Sequence, residues 1–326
     1  MKKFTLFILV CLLQGRIFSQ SLAGITGKPD TSYNTNSAYR STVKTYPNIK
    51  IVPEFRFDLV KEKKDIVYCT MGKRKLLLDA FCPKAKSKIK RTAILIIHGG
   101  GWRSGNRTQH YPLAQKLASL GYVCFTPEYR LSTEALYPAG VNDIKTVVGW
   151  VKRNARKYDV DTNKITVMGF SAGGELAAFT GSTNGNPAFD GTSCNVNYPT
   201  HVNAVVNIDG TLSFVHPESG EGDDSRKTSA ATYWFGYSKK ENPALWVQAS
   251  PLTHVGEQTP PTLFINSSVA RMHAGRNDYI KILNSFNIYT ETKEFENSPH
   301  GFCMFEPWFE PTVKYIDDFL KKIFKN

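Results

Sequence analysis

A serine between two glycines is the first feature of this sequence that suggests chemistry. Ser171 lies in the pattern Gly-x-Ser-x-Gly at residues 169–173. The β-branched run before it, residues 164–168, predicts a buried strand, and residues 172–179, rich in Ala and Leu, predict a helix. Ser171 would then lie at a sharp strand-to-helix turn with a strained backbone, where side chains in place of the two flanking glycines would collide. A serine at such a turn presents its hydroxyl group at the rim of the sheet and at a helix N-terminus, where developing negative charge is stabilised. Ser171 is therefore a candidate nucleophile.

A second glycine-rich segment could stabilise that negative charge. Residues 92–97 predict another buried strand, which leads into His-Gly-Gly-Gly-Trp at residues 98–102. Successive glycines leave backbone N–H groups uncovered, and an oxyanion hole is built from such donors. The sequence therefore predicts that the N–H group of Gly100 or Gly101 serves as one donor. Trp102 follows directly and is predicted to form a wall of the substrate pocket, with packing against the sheet as an equal alternative.

A histidine near the C-terminus completes the set of reactive side chains. Serine is a poor nucleophile unless a neighbouring base accepts its proton. His300 lies in a loop between the last predicted strand, residues 289–295, and the last predicted helix, residues 313–324. We predict that His300 is this base.

The glycine loop, the serine turn and the late histidine, in this chain order, resemble the α/β-hydrolase family. The resemblance covers roughly residues 60–325 and implies an α/β-hydrolase fold, with a mostly parallel central sheet and helices on both faces. Strands that alternate with helices along the chain favour the same architecture. In this family the residue after the nucleophile, here Ala172, donates the other N–H group of the oxyanion hole.

The acid of the predicted triad is harder to assign from the sequence. Most relatives carry a glycine and then an aspartate just past the strand predicted at residues 262–265, and this chain has Ser267 and Ser268 there. Asp209 follows the strand predicted at residues 204–208, where some lipases of this fold place their acid. Asp209 is the first choice, and Asp278, in the next predicted helix, is the alternative.

The chain divides into three predicted regions. Residues 1–19 resemble a secretory signal peptide, because two lysines precede an apolar run that is too short to span a bilayer. Residues 20–59 are polar and predict an extended arm with little core of its own. Residues 60–326 form the predicted catalytic domain, and the polar residues 211–258 are an insertion that could line a binding region. We expect a secreted or periplasmic protein with no membrane span.

Composition limits the partners that the chain can have. The formal net charge is +13, and the predicted leader carries three of these positive charges without an acid, so +10 remains. An excess of positive charge suits an anionic partner, but no nucleic-acid-binding motif is present. The densest basic cluster, residues 84–91, is predicted to be a solvated loop. The histidines and cysteines lack metal-ligand spacing, so we predict neither a metal nor a cofactor.

Cysteine usage leaves disulfide bonding open. Five cysteines remain after the leader, so they cannot all be paired with one another. Cys124 lies in an apolar run and is predicted to belong to the core. A disulfide is compatible with this sequence, but the spacing selects no pair.

The predicted function is that of a secreted serine carboxylic-ester hydrolase. The motifs resemble those of acetyl, feruloyl and pectin-type carbohydrate esterases, which implies an ester of a plant polysaccharide such as pectin. Arg271 and His273 are candidates to bind a substrate carboxylate, with helix capping or exposure to solvent as the alternative. The alternative functions are a lipase or serine peptidase of the same fold, or a catalytically inactive binding protein.

Overall fold

The protein is built on a mixed sheet, and the glycine loop and the serine turn follow the carboxyl ends of two of its parallel strands. The computed structural model describes residues 21–190, 194 and 197–325, so the predicted signal peptide lies outside the described residues. Within this part of the chain, no helix is long and apolar enough to cross a membrane. The strands in chain order are β1 (Lys50–Ile51), β2 (Val60–Met71), β3 (Arg74–Pro83), β4 (Arg91–Ile97), β5 (Val123–Pro127), β6 (Val160–Phe170), β7 (Ala204–Ile208), β8 (Thr262–Asn266), β9 (Thr290–Glu294) and β10 (Phe305–Glu306).

The described strands pair in the order β2-β3-β5-β4-β6-β7-β8-β9. Strands β2, β3 and β5 pair antiparallel, and the pairs from β5 to β9 are parallel. The carboxyl ends of β4, β6, β7 and β8 therefore meet at one edge of the sheet, where an open α/β sheet binds its ligand. This arrangement confirms the predicted α/β-hydrolase fold.

Helices cover both faces of the sheet, as the alternating pattern predicted. They are α1 (Thr35–Thr42), α2 (Tyr111–Ser119), α3 (Ala139–Arg153), α4 (Ala172–Ser182), α5 (Ala230–Phe235), α6 (Pro243–Gln248), α7 (Arg276–Ser285) and α8 (Phe309–Phe324). The period-2 geometry of strand β4 sends Leu95 into one apolar cluster and Ile94 and Ile96 into another. The glycine loop therefore follows a strand that is buried on both of its faces.

The N-terminal arm packs against the domain, contrary to the expectation of an extended segment. It contains helix α1, capped by Asn34, and strand β1, which pairs with β10. Ala38, Ile49 and Val52 are buried in one of the two large apolar clusters. Scattered apolar residues in a polar segment do not reveal such packing, because their partners lie at the other end of the chain.

The insertion at residues 211–258 is also more ordered than its polar sequence suggests. Helices α5 and α6 lie within it, and their Trp234 and Trp246 are fully buried against Phe214 and Phe235. A disulfide joins Cys69 on β2 to Cys194, across 125 residues of sequence. Cys124 is buried, as predicted, and is a free thiol.

Candidate active site

Ser171 occupies the strained turn that its flanking glycines predicted. The residue joins the end of β6 to the start of α4 and has φ +57°, a conformation that non-glycine residues seldom adopt. A Cβ atom on Gly169 would lie 2.1 Å from the carbonyl oxygen of Gly173, and one on Gly173 would lie 2.2 Å from that of Ile97. Both glycines are therefore required sterically, because any side chain would collide with the backbone.

Three of the sequence-predicted residues lie in one hydrogen-bonded chain. His300 Nε2 is 2.9 Å from Ser171 Oγ, and His300 Nδ1 is 2.9 Å from Asp209 Oδ2. An ionised carboxylate can only accept, so His300 Nδ1–H donates to Asp209 and the hydroxyl group of Ser171 donates to Nε2. The Phe170 ring, 4.7 Å from the imidazole ring centre, packs against His300. In this arrangement His300 can accept the proton of Ser171.

Asp209 is held in place by contacts on both of its oxygen atoms. The side chain is fully buried, and its Oδ1 accepts the N–H group of Ser267 at 2.8 Å. Burial by itself would raise the pKa of Asp209, but contacts with His273 and His300 and the hydroxyl group of Ser267 hold that pKa well below its usual range. Asp209 therefore carries a negative charge that can balance an imidazolium at His300.

The alternative acid, Asp278, lies elsewhere. It is in the exposed first turn of α7, with 61% of its side chain accessible, and its Oδ2 is 3.4 Å from His216 Nε2. The structure therefore does not bring Asp278, the alternative acid, to His300, because Asp209 occupies the Nδ1 side of that ring.

The residues predicted to supply the oxyanion donors lie at the same cavity as Ser171. Gly100, Gly101 and Ala172 line the same cavity as Ser171 and His300. Among the described residues, none accepts a hydrogen bond from the N–H groups of these three residues. Gly100 has φ +126°, and a Cβ atom there would lie 1.9 Å from the carbonyl oxygen of Ser104, so this loop conformation requires glycine. The uncovered donors could bind an oxyanion.

Trp102 lines the cavity and packs against aromatic residues of the insertion rather than against the sheet. Its ring stacks on Trp234 at a centroid distance of 4.9 Å, and its Nε1–H donates to Glu175 Oε2 at 2.8 Å. Burial raises the pKa of Glu175 well above its usual value, against the opposing effect of the Trp102 hydrogen bond. This bond joins the glycine loop to the first turn of α4.

The cavity above Ser171 has a volume of about 250 Å³ and includes residues that the sequence did not indicate. Tyr33 reaches it from the N-terminal arm, where a backbone bridge between Asp30 and Ser104 holds the segment beside the glycine loop. Glu221 comes from the insertion, and its Oε1 lies 3.6 Å from Arg271 Nη1. No local motif marks either residue, because only the fold brings the arm and the insertion to Ser171.

The two predicted ligands of a substrate carboxylate have different positions. Arg271 lines the cavity, and 54% of its side chain is exposed. His273 contacts the protein itself, with Nε2 3.5 Å from Asp209 Oδ1. Arg271 is thus available to a substrate, whereas His273 faces the triad.

The described residues contain no cluster of metal-binding side chains. Within residues 21–190, 194 and 197–325, no three His, Cys, Asp or Glu side chains are grouped so that they could hold a metal ion.

Comparison with known proteins relates this geometry to esterases. The family model BD-FAE matches residues 78–272, which include Ser171 and Asp209. Esterase LipC of Mycobacterium tuberculosis is 29% identical over 201 residues, covering 59% of this chain and 47% of LipC. Esterase LipQ of the same organism is 29% identical over 233 residues, covering 71% of this chain and 53% of LipQ. The chain spans about half the length of these curated relatives.

Solved structures show the same fold. A truncated carbohydrate esterase from gut microbiota superposes with a TM-score of 0.71 at 22% identity, covering 84% of this chain and 100% of that one. Esterase 2 of the planctomycete Thermogutta terrifontis superposes with a TM-score of 0.66 at 23% identity, covering 84% of this chain and 96% of that one. At these identities the likeness establishes the α/β-hydrolase architecture.

Proposed function

Since the chain belongs to the BD-FAE family and has the α/β-hydrolase fold, we propose that it is a carboxylic ester hydrolase with Ser171 as nucleophile. The observation that carries this proposal is the hydrogen-bonded chain from Ser171 through His300 to Asp209, which opens into a cavity with uncovered N–H donors. The sequence similarity to esterases supports the same reaction class.

The proposed acylation step uses each of these groups once. His300 Nε2 accepts the proton of Ser171 as Oγ attacks the ester carbonyl carbon, and Asp209 balances the imidazolium charge. The carbonyl oxygen becomes an oxyanion that receives hydrogen bonds from Gly101 and Ala172. The tetrahedral intermediate then expels the alcohol, which takes the proton from His300, and the acyl group stays on Ser171.

Deacylation repeats the step with water as nucleophile. Water enters after the alcohol leaves, and His300 Nε2 accepts one of its protons as the oxygen attacks the acyl carbon. The collapse of the second intermediate releases the carboxylic acid and returns the proton to Ser171. Both steps need the same oxyanion donors, because the negative charge develops on the same carbonyl oxygen.

The test of this chemistry compares wild type with Ser171→Ala on p-nitrophenyl acetate. We expect wild type to release p-nitrophenolate and the variant to lose the burst and nearly all turnover. Thermogutta terrifontis esterase 2 has been solved phosphorylated by paraoxon. If Ser171 is the nucleophile here, paraoxon should inactivate the enzyme, and mass spectrometry should locate the phosphoryl group on Ser171. Equal rates in wild type and Ser171→Ala would instead favour a catalytically inactive binding protein.

For the substrate, the proposal is an acetyl, methyl or feruloyl ester on an anionic plant polysaccharide such as pectin. One structural neighbour is described as a carbohydrate esterase, which supports the substrate class. The half-exposed side chain of Arg271, which lines the cavity and lies 3.6 Å from Glu221, suits a uronate carboxylate. The chain's positive charge would draw such a polymer, and the attraction should weaken as salt screens it.

The same proposal includes export from the cytoplasm. The basic, apolar N-terminus resembles a signal peptide, and the disulfide between Cys69 and Cys194 suits an oxidising compartment. N-terminal sequencing of the mature protein from a cell-envelope or medium fraction tests this part. A cytoplasmic protein that begins at Met1 would contradict it.

A substrate panel tests the polysaccharide assignment. We expect more acetate or methanol from pectin than from acetylated xylan, at matched ester concentration and low salt. Arg271→Ala should raise KM for pectin and leave turnover of p-nitrophenyl acetate unchanged, whereas Arg226→Ala, at an exposed arginine of the insertion, should change neither. A strong preference for xylan would contradict the pectic assignment, and the esterase chemistry would remain.

A further inference from the structure

A second cavity, of about 350 Å³, lies at the opposite end of the sheet from Ser171. Arg91 is at its wall and begins β4, whose seven residues lead to the glycine loop. At about 3.3 Å per residue, this strand separates the cavity from that loop by about 20 Å. The cavity is therefore a separate site, which the proposed ester hydrolysis does not use.

The walls of this cavity are strongly basic. They include one acid, Asp159, and these cations: Lys61, Lys63, Lys84, Arg91 and Lys157. Among the described residues, no carboxylate lies within 4.0 Å of the ammonium group of any of these four lysines. Arg91 donates to the carbonyl oxygens of Gly121 and Ala85, which position the guanidinium without neutralising it. Clustered like charges repel one another, and a bound anion would relieve that repulsion.

These positive charges do not all serve to keep the edge strand β2 from pairing with other chains. Lysines on an edge strand discourage pairing with other chains, and Lys61 and Lys63 lie on the edge strand β2. However, Lys84 follows β3, Arg91 begins β4, and Lys157 lies in the loop before β6. Four separate segments thus bring their positive charges to one concave surface.

The spacing of the two edge lysines suits a polymer with regularly placed charges. Lys61 and Lys63 pair with Cys82 and Ala80 of β3, so they are two residues apart and share one face of β2. Their backbone positions are about 7 Å apart, at about 3.4 Å per residue. A polyuronate carries one carboxylate per sugar, so neighbouring sugars could place their carboxylates near neighbouring lysines.

Apolar and aromatic residues also line the cavity, among them Pro83, Val123 and Tyr158. The Tyr158 ring is fixed by edge contacts with Phe125 at 5.2 Å and a tilted contact with Trp150 at 5.7 Å. Its hydroxyl group is buried and has no hydrogen-bond partner among the described residues. A sugar ring offers both an apolar face and hydroxyl groups, so it fits this surface better than a small inorganic anion does.

We propose that this cavity is an accessory binding site for an anionic polysaccharide, which holds one part of the polymer while Ser171 acts on another. Uronate carboxylates bind Lys61, Lys63 and Lys84, and a sugar ring lies over Pro83 with a hydroxyl group near Tyr158. The identity of the polymer rests on the proposed function. The accessory site should lower KM for the polymer and leave small esters unaffected.

The experiment measures binding to the full-length Ser171→Ala protein, so that no ester is consumed. The ligands are oligogalacturonates, neutral xylo-oligosaccharides and single-stranded DNA of matched charge. Lys61→Ala/Lys63→Ala in this background should weaken oligogalacturonate binding about tenfold, as expected for the loss of two cationic contacts. The matched control is Lys44→Ala/Lys281→Ala, which removes the same charge from exposed positions elsewhere and should change binding by less than about twofold. Thermal unfolding of each variant verifies the fold.

Kinetics in the catalytically active background provide the second readout. Lys61→Ala/Lys63→Ala should raise KM for polymeric pectin and leave both constants for p-nitrophenyl acetate unchanged. Equal weakening by the two double variants, or DNA binding as tight as oligogalacturonate binding, would overturn the proposal in favour of unspecific attraction. If wild type hydrolysed no ester but the lysine pair still controlled oligogalacturonate binding, the accessory site would stand and the esterase proposal would fail.

Discussion

Ser267 donates both its backbone N–H group and its hydroxyl group to the carboxylate of Asp209. Ser267 follows β8, and Asp209 follows the neighbouring strand β7. The two strands are adjacent and parallel, so a carboxylate at the end of either one can reach the His300 ring. Ser267 thus orients the carboxylate of Asp209 from the end of the neighbouring strand.

The first prediction concerns Asp209. Asp209→Asn should lower kcat by about ten-thousand-fold, because an amide no longer holds His300 in the tautomer that accepts the proton of Ser171. Asp278→Asn is the matched control and should retain normal turnover, because its side chain lies at the surface beside His216. The measurement is kcat for p-nitrophenyl acetate, with circular dichroism to verify the fold. The reverse pattern would assign the acid to Asp278.

The second prediction concerns Glu175 and Trp102. The raised pKa of Glu175 means that the folded protein favours its neutral form, so Glu175→Gln can accept the same indole N–H bond and should keep kcat within about twofold. Glu175→Leu removes the acceptor and loosens the glycine loop, so kcat should fall about tenfold. KM should change little in both variants. Equal kcat in the Gln and Leu variants would show that this bond does not position the loop.

The third prediction concerns stability in acid. Burial lowers the pKa of His98 to about 4 and that of His110 to about 3, from the usual 6.5. Between pH 6.5 and these values the unfolded chain binds protons that the folded chain does not, so stability falls as the pH is lowered. Each histidine contributes a slope of up to about 1.4 kcal/mol per pH unit.

The variant His110→Gln tests this assignment. It removes one titrating group, so the free energy of unfolding should decline less steeply between pH 6 and pH 4 than in wild type. Urea unfolding at half-unit pH intervals measures the slope. Parallel curves for the two proteins would contradict a neutral, buried His110.

The fourth prediction concerns the disulfide. Cys69–Cys194 closes a loop of 125 residues, so its loss should lower the free energy of unfolding by about 3 to 5 kcal/mol. Cys69→Ser/Cys194→Ser removes it, and Cys82→Ser, which removes a free thiol, serves as control. If reducing agent destabilised wild type and the double variant equally, the disulfide would contribute nothing to stability.

The sequence by itself determined the parts of the site that depend on local backbone geometry. Ser171 needs glycines at positions 169 and 173 because the turn leaves no room for a Cβ atom there. This steric requirement can be recognised from five consecutive residues of the sequence. The glycine loop before Trp102 is recognisable for the same reason. Alternating strands and helices likewise predicted the mostly parallel sheet, because the period of apolar residues is a local property.

Only the tertiary structure decided which distant side chains meet. Asp209 and Asp278 were both compatible with the chain order. The fold places Asp209 Oδ2 2.9 Å from His300 Nδ1 and leaves Asp278 beside His216. Tyr33, Glu221 and the disulfide at Cys194 had no signal in the sequence. Each depends on contacts between segments far apart in the chain, and such contacts are set by the packing of the whole core.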